Sequence, residues 1–339
     1  MKKITLKQIA KHFNVSTATV SKALNNQPDI SDRLKKEISD YAEEVNYRPD
    51  YFARSLKGGK TNVIGVVVAD LSNPAYNQML SGITDVMDSA GFNLMFCNSK
   101  EDEERENNHI RMLLQKGVDG LLIVPSSVKR KRKEVGWYQL VKESNTQFIL
   151  MNRYLEGCEA DIVMSDNRHM SYMGTKYLID RGHKNILHFT CNLKNSTVED
   201  RIAGFKGVLT ENGLPYSAKN VYRSAIDSQA CYQNIIEFLK DPQNRKFTAI
   251  YTYNDIMAFP VIRGIIDSGL RVPEDIAVMG NDNISFSEEC LVSLTTVEQD
   301  TYEIGRIAAN LMIEKQYNQI NTVRRYILEP SGIVERKSV

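Results

Sequence analysis

The sequence has little of what secreted and membrane proteins depend on. Its five cysteines are odd in number and show no C-x-x-C spacing, which argues against a disulfide framework or a thiolate metal site. No apolar run approaches the length of a bilayer span, and the polar segment after Met-Lys-Lys-Ile-Thr is unlike a signal peptide. We therefore expect a cytoplasmic protein with reduced thiols, no metal and no other cofactor.

The short motifs of the common enzyme classes are also missing. There is no phosphate-binding glycine loop, no nucleophile–histidine–acid order and no metal-spaced cluster, so we do not expect an enzyme. What is present is typical of a globular protein, with 42% hydrophobic and 25% charged residues. The length of 339 residues fits a small module followed by two ordinary domains.

Charge is distributed unevenly along the chain. The formal net charge is +1, but residues 1–60 carry a net charge of +5 and the remainder −4. A basic head on a slightly acidic body predicts that only the head meets a polyanion such as DNA.

Residues 5–25, TLKQIAKHFNVSTATVSKALN, predict two short helices joined by a tight turn. Apolar side chains recur at helical spacing from Leu6 to Phe13, and Thr5 begins a capping box. Ser16 is placed to cap the second helix, which turns small hydroxyls and Lys22 outward. Such a surface suits the base edges and phosphates of a DNA major groove.

A third helix, capped by Ser31, ends before Pro49. The segment that follows, YFARSLKGGK at 51–60, allows one or two helical turns that are too short to persist alone in water. A conditional helix between two domains is a candidate switch. We therefore predict a helix-turn-helix domain at 1–48, a hinge at 49–60 and a larger domain at 61–339.

From residue 62 to residue 279, short apolar runs alternate with amphipathic stretches. This alternation predicts parallel strands covered by helices. About ten strands are too many for one compact open sheet, so we expect two α/β lobes. Ligands of such sheets bind beyond the carboxyl ends of the strands, where this sequence places many polar residues.

The chain resembles the LacI/GalR (lactose repressor) family of bacterial transcription regulators. The resemblance rests on residues 5–25 and on NYRPD at 46–50 with ARSL at 53–56. It continues in VIGVVVADLSNP at 63–74, DRGHKNI at 180–186, DRIAGF at 200–205, NDIMA at 254–258, VPEDIAVMG at 272–280 and LTTVEQ at 294–299. It implies an all-α helix-turn-helix DNA-binding domain followed by a two-lobed α/β effector domain like the periplasmic binding proteins (type I).

For the DNA-binding part, the resemblance implies a homodimer on a palindromic operator, with the two copies of Leu56 wedged into the minor groove. With no heptad extension after Arg336, we expect no helical tail of the kind that forms tetramers. Thr17, Ala18 and Lys22 are expected to set base preference, although the family often has arginine at the last position. The candidate DNA-binding residues are Thr5, Ser16, Thr17, Ala18, Thr19, Ser21, Lys22, Asn25, Ser31, Tyr47, Arg54 and Leu56.

For the larger part, the resemblance implies a small polar effector between the lobes, such as a sugar or a sugar phosphate. The candidate effector-binding residues are Tyr76, Asn152, Arg153, Asp166, Arg201, Asn254 and Asp282. The chain departs from the family at three places. Family members often have Asp where this chain has Asn152, and an aromatic residue where it has Asn281. They often have two aromatic residues where this chain has Ala75-Tyr76. These departures predict a more polar and roomier cleft than usual.

Two other functions remain open from the sequence. One is a regulator of the same family controlled by a protein partner, and the other is a solute-binding protein of transport. The basic N-terminal helices argue against the second. The basic run at 129–133 is expected to be a solvated loop, with a second nucleic-acid contact as the alternative.

Overall fold

The computed structural model describes residues 4–24, 26–45, 47, 60–126, 136–318 and 322–339. The chain divides into two compact units, at residues 1–61 and 62–339. Among the described residues, no helix combines the length and the apolar character needed to cross a bilayer.

The described residues of the first unit form three helices, α1 (Leu6–His12), α2 (Thr17–Leu24) and α3 (Asp32–Glu44). The turn between α1 and α2 contains Asn14 in a left-handed conformation, with φ of 52°. As the helical spacing predicts, one apolar face of each helix forms a common core. The buried residues of that core are Ile9, Ala10, Val20, Ala23, Ile38 and Ala42.

The second unit contains two lobes, each built on a six-stranded sheet of described residues. The sheet of lobe 1 has the order β11-β5-β4-β3-β1-β2, with all described pairs parallel. Its strands are β1 (Val63–Val68), β2 (Asn93–Asn98), β3 (Gly120–Ile123), β4 (Gln147–Met151), β5 (Asp161–Ser165) and β11 (Arg325–Leu328). Its helices are α4 (Pro74–Ser89), α5 (Glu103–Gln115), α6 (Gly136–Ser144) and α11 (Thr301–Asn318).

The sheet of lobe 2 has the order β12-β10-β9-β8-β6-β7, parallel except where β12 pairs with β10. Its strands are β6 (Ile186–Cys191), β7 (Val221–Ser224), β8 (Ala249–Thr252), β9 (Ala277–Asp282), β10 (Thr295–Glu298) and β12 (Gly332–Val334). Its helices are α7 (Asn167–Asp180), α8 (Ser196–Glu211), α9 (Ser228–Lys240) and α10 (Asp255–Asp267). Short 3-10 helices cover Ala218–Asn220, Pro242–Lys246 and Ser285–Ser287.

Three crossovers connect the lobes, after β5, after β10 and between β11 and β12. The helices next to them dock tightly. A Cβ on Gly305 of α11 would lie 2.0 Å from the carbonyl oxygen of Met79, and one on Gly204 of α8 would lie 2.1 Å from that of Arg168. Because these contacts leave no room for a side chain, the crossovers are flanked by closely packed helix pairs.

The strands and helices predicted between residues 62 and 279 are present, with ends that shift by a few residues. The predicted alternation stopped too early. It left out β10, α11, β11 and β12, which all follow residue 279.

Candidate functional site

The outer face of α2 carries the residues expected to meet DNA. Ser16 Oγ accepts a hydrogen bond from the Thr19 amide at 3.0 Å, which confirms its predicted role as the cap of this helix. Val20 and Ala23 are buried, whereas Ala18 and Lys22 are exposed and Thr17 and Ser21 are half-buried. The small side chains and the cation therefore share the accessible face, as the spacing predicts.

Lys22 already has a partner on this face. Its ammonium group forms an ion pair with Asp29, and about half of each side chain is exposed, 52% in both cases. The hydrogen bond from Lys22 is the largest cause of a lowered pKa of the Asp29 carboxyl group. The cation is thus held in place by a contact that solvent and ions can reach.

The remaining candidate DNA contacts lie around the three helices. The Thr5 amide donates to Gln8 Oε1 at 2.8 Å, as the capping box predicts. Ser31 stands at the N-cap position of α3, but its side chain accepts no capping hydrogen bond from the helix, and Tyr47 packs partly against the helical core. Asn25, Arg54 and Leu56 lie outside the described residues, as does the basic run at 129–133.

A polar cavity lies between the lobes, at the carboxyl ends of strands from both sheets. Its lining residues are Asn73, Ala75, Tyr76, Asn152, Thr197, Arg201, Tyr253, Asn254, Asp282, Gln299 and Thr301. The cavity volume is about 20 Å³, enough for about one water molecule. The buried side chains of Tyr76 and Tyr253 are the aromatic rings of this lining, and the expectation of a cleft roomier than is usual in the family stays a prediction.

Arg201, from α8, is the central cation of the cavity and is 3% exposed. Its Nε donates to Asn167 Oδ1 at 3.0 Å, and its Nη2 donates to Asp282 Oδ1 at 3.3 Å. Its Nη1 donates to the carbonyl oxygen of Tyr253, and the guanidinium carbon lies 4.8 Å from the centre of the Tyr253 ring. The guanidinium plane is thus fixed by groups from several elements of lobe 2.

Asp282 ends β9 with a positive φ of 126°, a conformation that side chains rarely adopt. Its Oδ1 also accepts a hydrogen bond from Gln299 Nε2 at 2.7 Å. Burial raises the pKa of this carboxyl group to about 7, against the opposing effect of Arg201. Gln299 Oε1 in turn accepts from Ser165 Oγ at 2.9 Å, so a hydrogen-bonded chain connects Asp282 to a crossover strand of lobe 1.

The other predicted effector residues fall into two groups. Tyr76, Asn152 and Asn254 line the cavity together with Arg201 and Asp282. Asn254 also caps α10, accepting from the Met257 amide at 3.0 Å. Burial raises the pKa of Tyr76 to about 12, so its hydroxyl group stays protonated at neutral pH.

The structure does not bring Arg153 or Asp166 to the cavity lining. The terminal nitrogens of Arg153 donate to the two carboxylate oxygens of Glu101, at 2.7 and 2.8 Å. One of them also donates to the Pro125 carbonyl oxygen, at 2.9 Å. Asp166 caps α7 by accepting from the His169 amide at 2.8 Å. Both residues follow a strand, but their side chains form an ion pair and a helix cap within the fold.

Sequence reasoning missed three lining residues that contact Arg201 or Asp282 or that make a hydrogen bond between the lobes. They are Thr197, Tyr253 and Gln299. Gln299 directly follows β10 and Tyr253 directly precedes Asn254, so the strand-end argument applies to both. Thr197 donates to the carbonyl oxygen of Asn152 at 3.4 Å, a contact between lobes that no local pattern encodes.

A helix-turn-helix unit followed by a hinged pair of α/β lobes with a polar cleft defines a class, the ligand-responsive DNA-binding regulators. The comparisons with known proteins agree. The family description "Bacterial regulatory proteins, lacI family" matches residues 5–50, and "Periplasmic binding proteins and sugar binding domain of LacI family" matches residues 61–330. The chain belongs to the LacI family, and it is a helix-turn-helix transcriptional repressor.

Relatives match over nearly the whole chain. The HTH-type transcriptional repressor PurR of Aliivibrio salmonicida is 32% identical over 99% of this chain and 98% of its own length. The HTH-type transcriptional regulator RegA of Clostridium saccharobutylicum is 32% identical over 98% of each chain. These relatives are regulators of transcription rather than enzymes.

Solved structures share the fold. The lac repressor dimer bound to operator and the anti-inducer ONPF has a TM-score of 0.84 at 24% identity, over 99% of both chains. A LacI family regulator from Enterococcus faecium with bound ribose has a TM-score of 0.72 at 26% identity, over 82% of this chain and 98% of its own. A CelR–cellobiose complex has a TM-score of 0.74 at 23% identity, over 99% of this chain and 100% of its own.

Proposed function

We propose that this repressor is controlled by a small neutral sugar that binds in the interlobe cleft against Arg201 and Asp282. The observation that carries the proposal is the arrangement of these two side chains with Gln299. A guanidinium group, a carboxylate and an amide converge on one cavity and offer donors and acceptors in fixed directions. Vicinal hydroxyl groups, which both donate and accept, match such a set.

The charges of the site favour a neutral sugar over a sugar phosphate. Among the described residues that line the cavity, Arg201 is the one cation, and it already faces the carboxyl group of Asp282. A phosphate needs surplus cations, and the nearby guanidinium group of Arg153 already binds Glu101 with both terminal nitrogens. The two structural neighbours described with ribose and with cellobiose also favour a neutral sugar as the effector.

We propose further that the repressor acts as a homodimer on a palindromic operator. One recognition helix reads only a few base pairs, and a two-fold dimer doubles the site. A groove of about 850 Å³ supports this, since its lining includes the exposed apolar side chains Phe286 and Leu291 of lobe 2, which are 56% and 72% exposed. Exposed apolar side chains of this kind suit an isologous contact with a second copy.

The proposed roles within the chain follow from this. The unit at 1–48 binds DNA, with Thr17, Ala18 and Lys22 as base readers. The hinge at 49–60 transmits the state of the larger domain at 61–339. Ser16 and Thr19 are proposed to approach phosphates, since the hydroxyl groups at the start of α2 lie 2.9 Å apart at a helix N-terminus.

The proposal is tested by thermal unfolding with a panel of neutral sugars and their phosphates. A ligand at 100 times its Kd stabilises the protein by about 2.7 kcal/mol, so a binder is readily detected. We expect a neutral sugar to raise the Tm of the wild type and of Arg223→Ala. Arg223 is the matched control because it lies in the same lobe and pairs with Glu199 on the surface, at 3.4 Å.

The same sugar is expected to leave the Tm of Arg201→Ala unchanged. An equal shift in Arg201→Ala would place the ligand elsewhere. A panel without any response would instead favour control by a protein partner.

A further inference from the structure

An imidazole and two carboxylates meet where two of the crossovers between the lobes run side by side. Asp166, His169 and Glu329 present ligand atoms that all lie within 4.8 Å of one another. Asp166 belongs to the crossover after β5, and Glu329 belongs to the crossover between β11 and β12. His169 lies in the first turn of α7, which is part of lobe 2. The group therefore connects the start of lobe 2 to a strand that leaves lobe 1.

The strand register brings the two carboxylates together. β5 and β11 are parallel, and Ser165 lies opposite Leu328 at the carboxyl end of their ladder. The pairing continues by one step, because the Asp166 amide donates to the Leu328 carbonyl oxygen at 2.8 Å. Asp166 and Glu329 are thus the next residues of two adjacent strands, which are about 4.8 Å apart in such a sheet. No local sequence motif indicates the group, since Glu329 joins it only through this register.

The cap of α7 brings the imidazole to the same place. Asp166 Oδ1 accepts a hydrogen bond from the His169 amide at 2.8 Å, which holds the carboxylate beside the histidine. His169 Nδ1 lies 2.7 Å from Glu329 Oε2. The side chains of His169 and Glu329 are 46% and 68% exposed, so an ion can reach them from solvent.

The donor set suits a transition metal ion. Imidazole nitrogen and carboxylate oxygen bind Zn²⁺ at about 2.0–2.2 Å, which places the ligand atoms of a tetrahedral site about 3.3 Å apart. The contact of 2.7 Å has to lengthen and the widest separation has to shorten toward this value, and exposed side chains can make both changes by rotation. Mg²⁺ and Ca²⁺ prefer oxygen ligands throughout, so the imidazole distinguishes this group from an ordinary acidic surface.

We propose that Asp166, His169 and Glu329 form a binding site for a divalent transition metal ion such as Zn²⁺, with water completing the coordination. The ion connects the start of α7 to the crossover between β11 and β12. Since the lobes can turn relative to each other only by bending the crossovers, a bound ion restrains that movement. The three residues are not part of the cavity lining among the described residues, and the proposal does not depend on the sugar.

Metal binding is measured on the full chain, which is first treated with a chelator and then titrated with Zn²⁺ against a chelating indicator dye. His169→Ala should weaken Zn²⁺ binding by at least about tenfold, because even residues that only orient metal ligands account for about 10–100-fold in affinity. His109→Ala is the matched control, since His109 is a partly exposed histidine of another helix, α5, and lies outside the group. We expect it to bind Zn²⁺ like the wild type.

Substitutions of Glu329 test the chemistry of the ligand. Glu329→Ala should weaken Zn²⁺ binding by a factor similar to that of His169→Ala. Glu329→His offers a nitrogen ligand in place of the carboxylate oxygen and should retain the binding. If an alanine variant does not fold, Glu329→Gln, which keeps the shape of the side chain, should still bind Zn²⁺ more weakly than the wild type.

Site-resolved hydrogen exchange locates the ion at the crossovers. The Asp166 amide is the reporter, because its hydrogen bond to Leu328 joins the two crossovers. The Asn152 amide is the reference, because it donates to the Val163 carbonyl oxygen within lobe 1 at 2.8 Å. At ten times the Kd, Zn²⁺ should slow exchange of the reporter relative to the reference by about tenfold, since opening releases the ion. Mg²⁺ at the same concentration should leave the ratio unchanged.

Equal Zn²⁺ affinity in the wild type and in His169→Ala would overturn the proposal, as would an equal loss of affinity in His109→Ala. Zn²⁺ binding that leaves exchange of the Asp166 amide unchanged would also overturn it, because the ion would then lie elsewhere. Equal protection by Mg²⁺ would refute the assignment to a transition metal. These outcomes involve no sugar, so they are independent of the result of the sugar panel.

Discussion

Among the described residues, each lobe contains a buried arginine that meets a carboxylate, and the two pairs differ in geometry and in their position relative to the cavity. In lobe 1, Arg153 binds Glu101 with both terminal nitrogens at 2.7 and 2.8 Å and also binds the Pro125 carbonyl oxygen. In lobe 2, Arg201 reaches Asp282 with one nitrogen at 3.3 Å, and the same carboxylate oxygen also accepts from Gln299.

We propose that the Arg201 pair binds the effector and that the Arg153 pair is structural. The Arg153 pair lies off the cavity lining, although the Nε of Arg153 is buried without a hydrogen-bond partner among the described residues. The Arg201 pair lines the cavity, and each nitrogen of its guanidinium group has a partner. The position of Arg201 at the cavity, rather than the completeness of its hydrogen bonds, makes it the better candidate for a ligand site.

The largest expected effect is on the structural pair. Arg153→Met leaves Glu101, whose side chain is 13% exposed, without its cation. We expect the free energy of unfolding to fall by about 3–5 kcal/mol, as measured by urea denaturation. Replacing both residues, with Arg153→Met and Glu101→Leu, should recover most of the loss because no unpaired charge remains. A loss below about 1 kcal/mol in the single variant would show that this pair does not hold lobe 1 together.

The ion pair of Lys22 and Asp29 extends the comparison to the DNA-binding unit. Unlike the two arginine pairs, its side chains are about half exposed to solvent. We expect Lys22 to exchange Asp29 for a guanine edge. Lys22→Ala should weaken operator binding by about 1–3 kcal/mol and reduce discrimination at one position of each half-site. Lys7→Ala, on the exposed side of α1, is the control. An unchanged binding-site preference in selection from random duplexes would exclude Lys22 as a base reader.

The smallest effect concerns the protonation of Asp282. Its pKa in the folded state is about 7 against an ordinary value of 3.8. Between these values the folded state holds a proton that the unfolded state releases, so this group makes the protein less stable as pH rises through that window. Asp282→Asn removes the effect. We expect the Tm of the variant relative to the wild type to be higher at pH 7.5 than at pH 5, and a pH-independent difference would contradict the raised pKa.

Much of the DNA-binding unit was predictable, because its signals are local. The capping residues, the Asn14 turn and the apolar faces of three helices are each set within a few positions of sequence. The lobes were predictable in class for a similar reason, since each strand and helix carries its own pattern.

The roles of the two arginines were not predictable from local sequence. Both follow or face polar strand ends, and the strand-end argument treats them alike. Arg153 is removed from the cavity by Glu101, which is 52 positions away and is presented by left-handed backbone at Lys100 and Glu101, with φ of 53° and 57°.

The central claim is that Arg201, the buried arginine that lines the cavity, receives the signal that controls DNA binding. The most direct measurement is the affinity for an operator selected from random duplexes, by fluorescence anisotropy, with and without the sugar that most stabilises the wild type. We predict that the sugar changes the affinity of the wild type by about fivefold or more, a typical allosteric coupling. Arg201→Ala should bind the operator within about threefold of the wild type and show no response to sugar. A response equal to that of the wild type in Arg201→Ala would contradict the account.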